Sequence, residues 1–193
     1  RLNDACTDPW GRVWFGSMDD SEGSASGKFY VFDRGEIRAA GPSGIAITNG
    51  PAVNPAGDRI YFTDTTAQKI MVAELTREGA GEARLFADTG ALFPDAFPDG
   101  PVVDAEDHVW TGLYVGSSVA RFSPSGELVA TIAMPARDIT KMAFGGPDFS
   151  TGYVPTATKN LEPGDMEKYP YAGGLLAFDA PVKGFAQPLV KLS

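Results

Sequence analysis

The sequence predicts an all-β fold, a β-propeller with four four-stranded blades, and three observations carry that prediction. The 23 Gly and 15 Pro are spread through 193 residues in short clusters, which punctuates many short strands and does not describe one flexible tail. Trp14, Tyr61, Trp110 and Tyr153 sit in β-rich runs of the same layout and lie 47, 49 and 43 residues apart by subtraction, the spacing of propeller blades. No stretch sustains a 3.6-residue apolar period, so helices should be few and short.

Each unit repeats the same order. A turn opening on Asp or Asn, closed by Gly in the first two copies, leads into the aromatic run in Asp8–Phe15, Asn54–Phe62 and Asp104–Trp110, and Gly146–Val154 is the fourth copy. A second alternating run follows at Lys28–Phe32, Lys69–Ala73, Ser118–Phe122 and Gly174–Phe178. A last strand is expected near Ile37–Ala39, Ala83–Phe86, Leu128–Ile132 and Gln187–Leu192. The units span approximately 1–45, 46–92, 96–135 and 138–193, and four strands in a unit of this length describe a blade of one domain. The polar segment Thr158–Tyr171, with Pro163, Gly164 and Pro170, is the longest insertion and is expected as a surface loop.

Composition narrows the partners. A formal charge of −9 with a pI near 4.5 repels a phosphate backbone and an anionic membrane, and no Lys/Arg run offsets it, so neither nucleic acid nor membrane is expected. No apolar run reaches the roughly 20 residues of a bilayer span. The single Cys6 forms no internal disulfide and has no Cys or His at metal-site spacing, which allows a reducing, cytoplasmic setting. The oligomeric state is not legible.

The innermost strand of a propeller blade flanks the central channel, and the residues before it line one mouth. These are Asn3-Asp4, Asn49-Gly50, Asp99-Gly100 and Thr140-Lys141. Asn49 would supply a neutral oxygen and Asp99 a charge, a donor set that suits a hard divalent ion: Ca²⁺, Mg²⁺ or Mn²⁺, with Zn²⁺ also able to take oxygen ligands. Asn-Gly and Asp-Gly also make turns for backbone reasons alone; recurrence at the channel mouth is what favours a shared ion. Asp4, Asp8, Asn54 and Asp104 read as turn-forming residues of the blades, and His108, the only His, as a strand-edge residue. No Ser has a Gly-x-Ser-x-Gly context, which disfavours a serine hydrolase. The acidic loop Asp19–Ser24 reads either as a cover of the pocket or as a solvated connection.

Several motifs, running in order through nearly the whole chain, resemble the senescence marker protein/gluconolactonase family, which includes regucalcin and bacterial sugar lactonases. They are Arg1-Leu2-Asn3-Asp4, Asp8–Met18, Ile47-Thr48-Asn49-Gly50, Ile60–Thr65, Phe97-Pro98-Asp99-Gly100, Ala143–Asp148 and Ala172–Leu175. The resemblance implies a six-bladed propeller that holds one divalent ion near the channel mouth and opens a sugar lactone, gluconolactone-like, to its aldonic acid. It implies Asn49 and Asp99 as metal ligands, Arg1 and Asn3 as substrate contacts, and Asp99 as the group that activates water, unless a metal-bound water acts alone. A third family ligand, a Glu, has no counterpart here. That departure, with four blades where the family has six, leads to the expectation that the chain lacks an N-terminal pair of blades. The competing readings are a non-catalytic Ca²⁺-binding or scaffold propeller and a related propeller esterase or phosphotriesterase.

Overall fold

The computed structural model describes residues 1–192 and is an arc of four β-sheets arranged as propeller blades. The first blade is β1 (Leu2–Thr7), β2 (Val13–Ser17), β3 (Gly27–Asp33) and β4 (Glu36–Ile45), a four-stranded antiparallel meander. The second repeats it with β5 (Thr48–Val53), β6 (Arg59–Asp64), β7 (Lys69–Glu74) and β8 (Arg84–Asp88). In the third, β9 (Phe97–Pro98) and β10 (Val102–Val103) both pair with β11 (Val109–Tyr114), followed by β12 (Ser118–Phe122) and β13 (Leu128–Ala133). In the fourth, β14 (Asp138–Ile139) and β15 (Ala143–Gly145) share β16 (Thr151–Ala157), which pairs on its other side with β17 (Leu175–Asp179). The helices are single turns, α1 (Thr89–Leu92) and α2 (Asp165–Lys168), the second inside the long insertion.

The repeated turn is built by one buried side chain. Asp8 accepts the backbone N–H of Trp10 and Arg12 on Oδ1, and the Arg12 Nε–H (2.6 Å) and Trp14 Nε1–H (2.7 Å) on Oδ2. Asp104 does the same for Glu106 and His108 N–H and for Trp110 and Arg121 side chains, and Asn54 caps Asp58 and Arg59. A carboxylate that satisfies four donors at once tolerates full burial, so these residues fix the turn that aims the following aromatic.

Strand alternation then puts consecutive side chains on opposite blade faces. Trp14 packs in the apolar layer between the first and second blades, Tyr61 in that between the second and third, and Trp110 in that between the third and fourth. Tyr153, the fourth member of the series, points the same way and is 37% exposed, because no described blade follows it. At the other end of the arc Phe15 and Tyr30 stack at 5.4 Å, with exposed Leu2 and Ile37 also in the first blade.

The strand expected over Gln187–Leu192 does not form. Pro181 and Pro188 remove backbone donors, and the segment crosses from the fourth blade to the first, where Pro188 accepts from Thr7 Oγ1 (2.5 Å) and Lys191 N–H donates to Gly11 (2.8 Å). Pro51 lies within β5, where the register with β6 shifts between Asn49 and Ala52.

Candidate functional site

All four inner strands are interrupted at the same level. β1 shifts register between Leu2 and Ala5, β5 between Asn49 and Ala52, the gap between β9 and β10 holds Asp99-Gly100-Pro101, and that between β14 and β15 holds Thr140-Lys141-Met142. An irregular strand escapes strict alternation and can turn polar side chains toward the channel. The result is a cavity of about 430 Å³ whose lining includes Arg1, Asn3, Asp4, Asn49, Thr65, Asp99 and Lys141. Arg1, Asn3, Asn49 and Asp99, singled out from the sequence, therefore share one space.

Asn49 is buried and its amide orientation follows from its neighbours. The Thr65 hydroxyl donates to Pro98 C=O (2.8 Å) and so must accept from Asn49 Nδ2 (2.8 Å). Asn49 Oδ1 is thereby turned to the pocket side, where it accepts from Asn3 Nδ2 (2.8 Å); Asn3 also donates to Thr48 C=O (2.7 Å). Asn3 Oδ1 in turn accepts from the Arg1 guanidinium (3.1 Å). One chain of hydrogen bonds thus runs from Arg1 to the residue preceding Asp99.

The Asp99 backbone is pinned by its N–H donating to Gly112 C=O (2.9 Å) and its C=O accepting from Thr111 Oγ1. Its carboxylate accepts the Gly100 N–H (2.7 Å) and makes no other hydrogen bond among the described residues. Burial pushes this carboxyl up to about 7; the Asp4 charge adds to the effect, while the Gly100 N–H and the Lys141 ammonium oppose it. The ammonium itself is bonded to Asp4 at 2.5 Å. A half-buried carboxylate without a bonded cation, next to an inward amide oxygen, fits a hard divalent ion in its donor chemistry. No group of three or more His, Cys, Asp or Glu side chains gathers at metal-site distance among the described residues.

Two loops border the cavity mouth. Glu22, from the acidic connection between β2 and β3, lines it and pairs with Lys159 (2.5 Å), while Asp20 and Glu22 face Arg1 at 3.4 and 4.0 Å. The long insertion is tied down at its start: Asn160 donates to Tyr114 Oη (3.1 Å) and accepts from Arg137 (2.6 Å). Thr65, Tyr114 and Lys159 had no role in the sequence reading. Asp4, expected at the channel mouth with Asn3 but read as a turn former beside Asp8 and Asp104, faces the cavity, because the irregularity in β1 turns both Asn3 and Asp4 toward it. His108 lies outside the cavity, with Nδ1 3.0 Å from Glu106 C=O. Among the described residues no helix is long and apolar enough to cross a membrane.

Residues 1–158 match the family model described as SMP-30/Gluconolactonase/LRE-like region. The chain is 30% identical to a 6-deoxy-6-sulfogluconolactonase from Pseudomonas putida, over 98% of this chain and 65% of that protein. It is 31% identical to a pentonolactonase from Haloferax volcanii, over 95% and 64%. The crystal structure of a calcium-binding protein, regucalcin, from Agrobacterium tumefaciens superposes with a TM-score of 0.93 at 29% identity, over 99% of this chain and 65% of that one. The chain thus spans about 65% of the length of each relative.

Proposed function

The chain belongs to the SMP-30/gluconolactonase/LRE-like family, and on that premise we propose that the protein hydrolyses a sugar lactone to its aldonic acid with the help of one divalent cation. The observation that supports this most directly is the meeting of Asn49 and Asp99 with Arg1 and Asn3 in one cavity. The relatives named for a sulfogluconolactone and a pentonolactone share the cyclic ester of an aldonic acid, so that ring is the substrate class proposed here.

Asn49 Oδ1 and the Asp99 carboxylate would hold the cation, which when bound supplies Lewis-acid polarisation of the lactone carbonyl. Arg1 and Asn3, already linked at 3.1 Å, hold the sugar hydroxyls and orient the ring: Arg1 presents its remaining guanidinium donors, and Asn3, whose two amide N–H groups are taken by Thr48 C=O and Asn49 Oδ1, presents its Oδ1 as an acceptor. Water adds to the carbonyl carbon while Asp99 accepts its proton; the ring C–O bond then breaks and the leaving oxygen takes that proton from Asp99, giving the hydroxy acid and restoring the carboxylate. The fixed backbone of Asp99, held by Gly112 and Thr111, keeps the base in one place during that exchange. The mouth loops joined by Glu22 and Lys159 limit the entry of bulk water.

The exposed faces bearing Tyr153 at one end of the arc and Leu2 and Ile37 at the other support a ring of six, two further blades closing it and one of them carrying the family's third ligand. A calcium-binding propeller without turnover is the second reading, favoured by the likeness to the calcium-binding regucalcin and by a site with two protein ligands here. Base uptake in a pH-stat on a panel of aldonolactones, with and without chelator, separates them. Chelator-sensitive turnover supports the lactonase; cation binding with no turnover on any lactone refutes it.

A further inference from the structure

Beneath Asn49 and Asp99 lies an ion pair that neither would need as a ligand. Lys141, between β14 and β15, donates to Asp4 Oδ2 of β1 at 2.5 Å, although 137 residues separate them. The same oxygen accepts the Gly50 N–H at 3.1 Å, and Lys141 forms a parallel bridge with Gly100. The contact at Gly100 is close: a Cβ there would lie 2.7 Å from Lys141 Cγ and would push the Lys141 side chain aside. All four inner strands therefore meet at this pair, and the two anchored glycines are the residues that directly follow Asn49 and Asp99. Lys141 also borders both the upper cavity and a second, largely apolar one of about 360 Å³, so its side chain lies between them.

We infer that Asp4 and Lys141 are a positioning pair: a cross-channel tie that holds Gly50 and Gly100, and through them sets the separation of the Asn49 oxygen from the Asp99 carboxylate. The inference rests on the reading of Asn49 and Asp99 as ligands of one cation. Ionic contacts behind a ligand set commonly govern its affinity by about 10–100-fold. Here the pair is partly shielded, with side-chain exposures of 35% for Lys141 and 16% for Asp4, and reaches across the channel, so its loss frees two ligand-bearing turns at once.

The test is the double variant Asp4→Asn/Lys141→Met in the full-length protein, which removes one charge of each sign and leaves the net charge of the channel unchanged. Calorimetric titration with Ca²⁺ or Mn²⁺ should show binding weakened about tenfold, with Lys141→Arg restoring most of it. Amide exchange without metal should accelerate about tenfold or more at Gly50 and Gly100 while the β2–β3 ladder keeps its protection. Unchanged exchange at those two glycines overturns the tie whatever the metal does, and so does unchanged affinity in the double variant. Tighter binding in Lys141→Met alone, with no loss in the double variant, would show the ammonium acting only as a like charge on the cation. A wild type that binds neither cation refutes the ligand reading, and the exchange result then still decides whether the tie exists.

Discussion

Replacing Asp99 by Asn should stabilise the metal-free protein and abolish its function. The carboxyl is raised from 3.8 to about 7, chiefly by burial. An acid whose folded pKa lies above its unfolded one binds its proton more tightly when folded, so stability is full below about pH 4 and falls as pH rises to about 7. At roughly 1.4 kcal/mol per unit, a shift of about 3 units sets a ceiling near 4 kcal/mol for the cost of the bare carboxylate above neutrality. Relaxation and water entry reduce the realised value to about half that ceiling. For a chain of this size about 2 kcal/mol corresponds to a rise of roughly 4–8 °C in Tm. Asn keeps the shape and can still accept the Gly100 N–H. Thermal unfolding in excess chelator from pH 4 to pH 8 should therefore show wild type and variant equal at the acid end and the variant ahead at the alkaline end. Saturating Ca²⁺ should invert the order, since the wild type alone keeps the charged ligand. A variant less stable than wild type at pH 8 in chelator, or a gap that does not change with pH, would refute the account of Asp99 as a carboxylate that lacks its cation.

Thr65→Val removes the hydroxyl between Asn49 and Pro98 and leaves an amide and a carbonyl unpaired, at a cost of about 1–3 kcal/mol by urea unfolding and a matching loss of cation affinity by calorimetry. Asp8→Ala strips the buried Arg12 of the carboxylate it pairs with, so unfolding followed by Trp fluorescence should show a loss of about 3–5 kcal/mol with no direct effect on the cavity. Asn3→Ala should raise KM for a lactone about tenfold or more while the metal-free Tm moves little, as read from initial rates over substrate concentration. Lys159→Met breaks an exposed pair and should change stability by less than about 1 kcal/mol, so any larger change in KM reports the mouth and not the fold.

The blades were legible because each is specified locally. Asp8, Asn54 and Asp104 close the same turn and the aromatic that follows each enters the layer between its own blade and the next, so a spacing near 47 residues is enough to count the units. The tail was misread for the opposite reason. Pro188-Leu189-Val190 looks like a strand by composition, yet its backbone partners are Thr7 and Gly11, about 180 residues away, and no local pattern announces them. The role of Thr65, and the pairing of Lys141 with Asp4 beyond its expected place at the channel mouth, were hidden for the same cause: each rests on a long-range contact, with Pro98 in one case and Asp4 in the other.

Asp4 shows where period-two reasoning stops. In a regular strand Asn3 and Asp4 would face opposite sides, and only one could reach the channel. The register shift between Leu2 and Ala5 sets both toward it, and the matching shift in β5 lets Asn49 and the Gly50 N–H converge on the same two residues. An irregularity at one level of all four inner strands is costly in ladder hydrogen bonds and has no packing reward, since the layers between blades lie farther out. What it does supply is polar groups aimed inward from every blade, so the ring of interruptions, more than any single residue type, marks the end of the channel at which the proposed site lies.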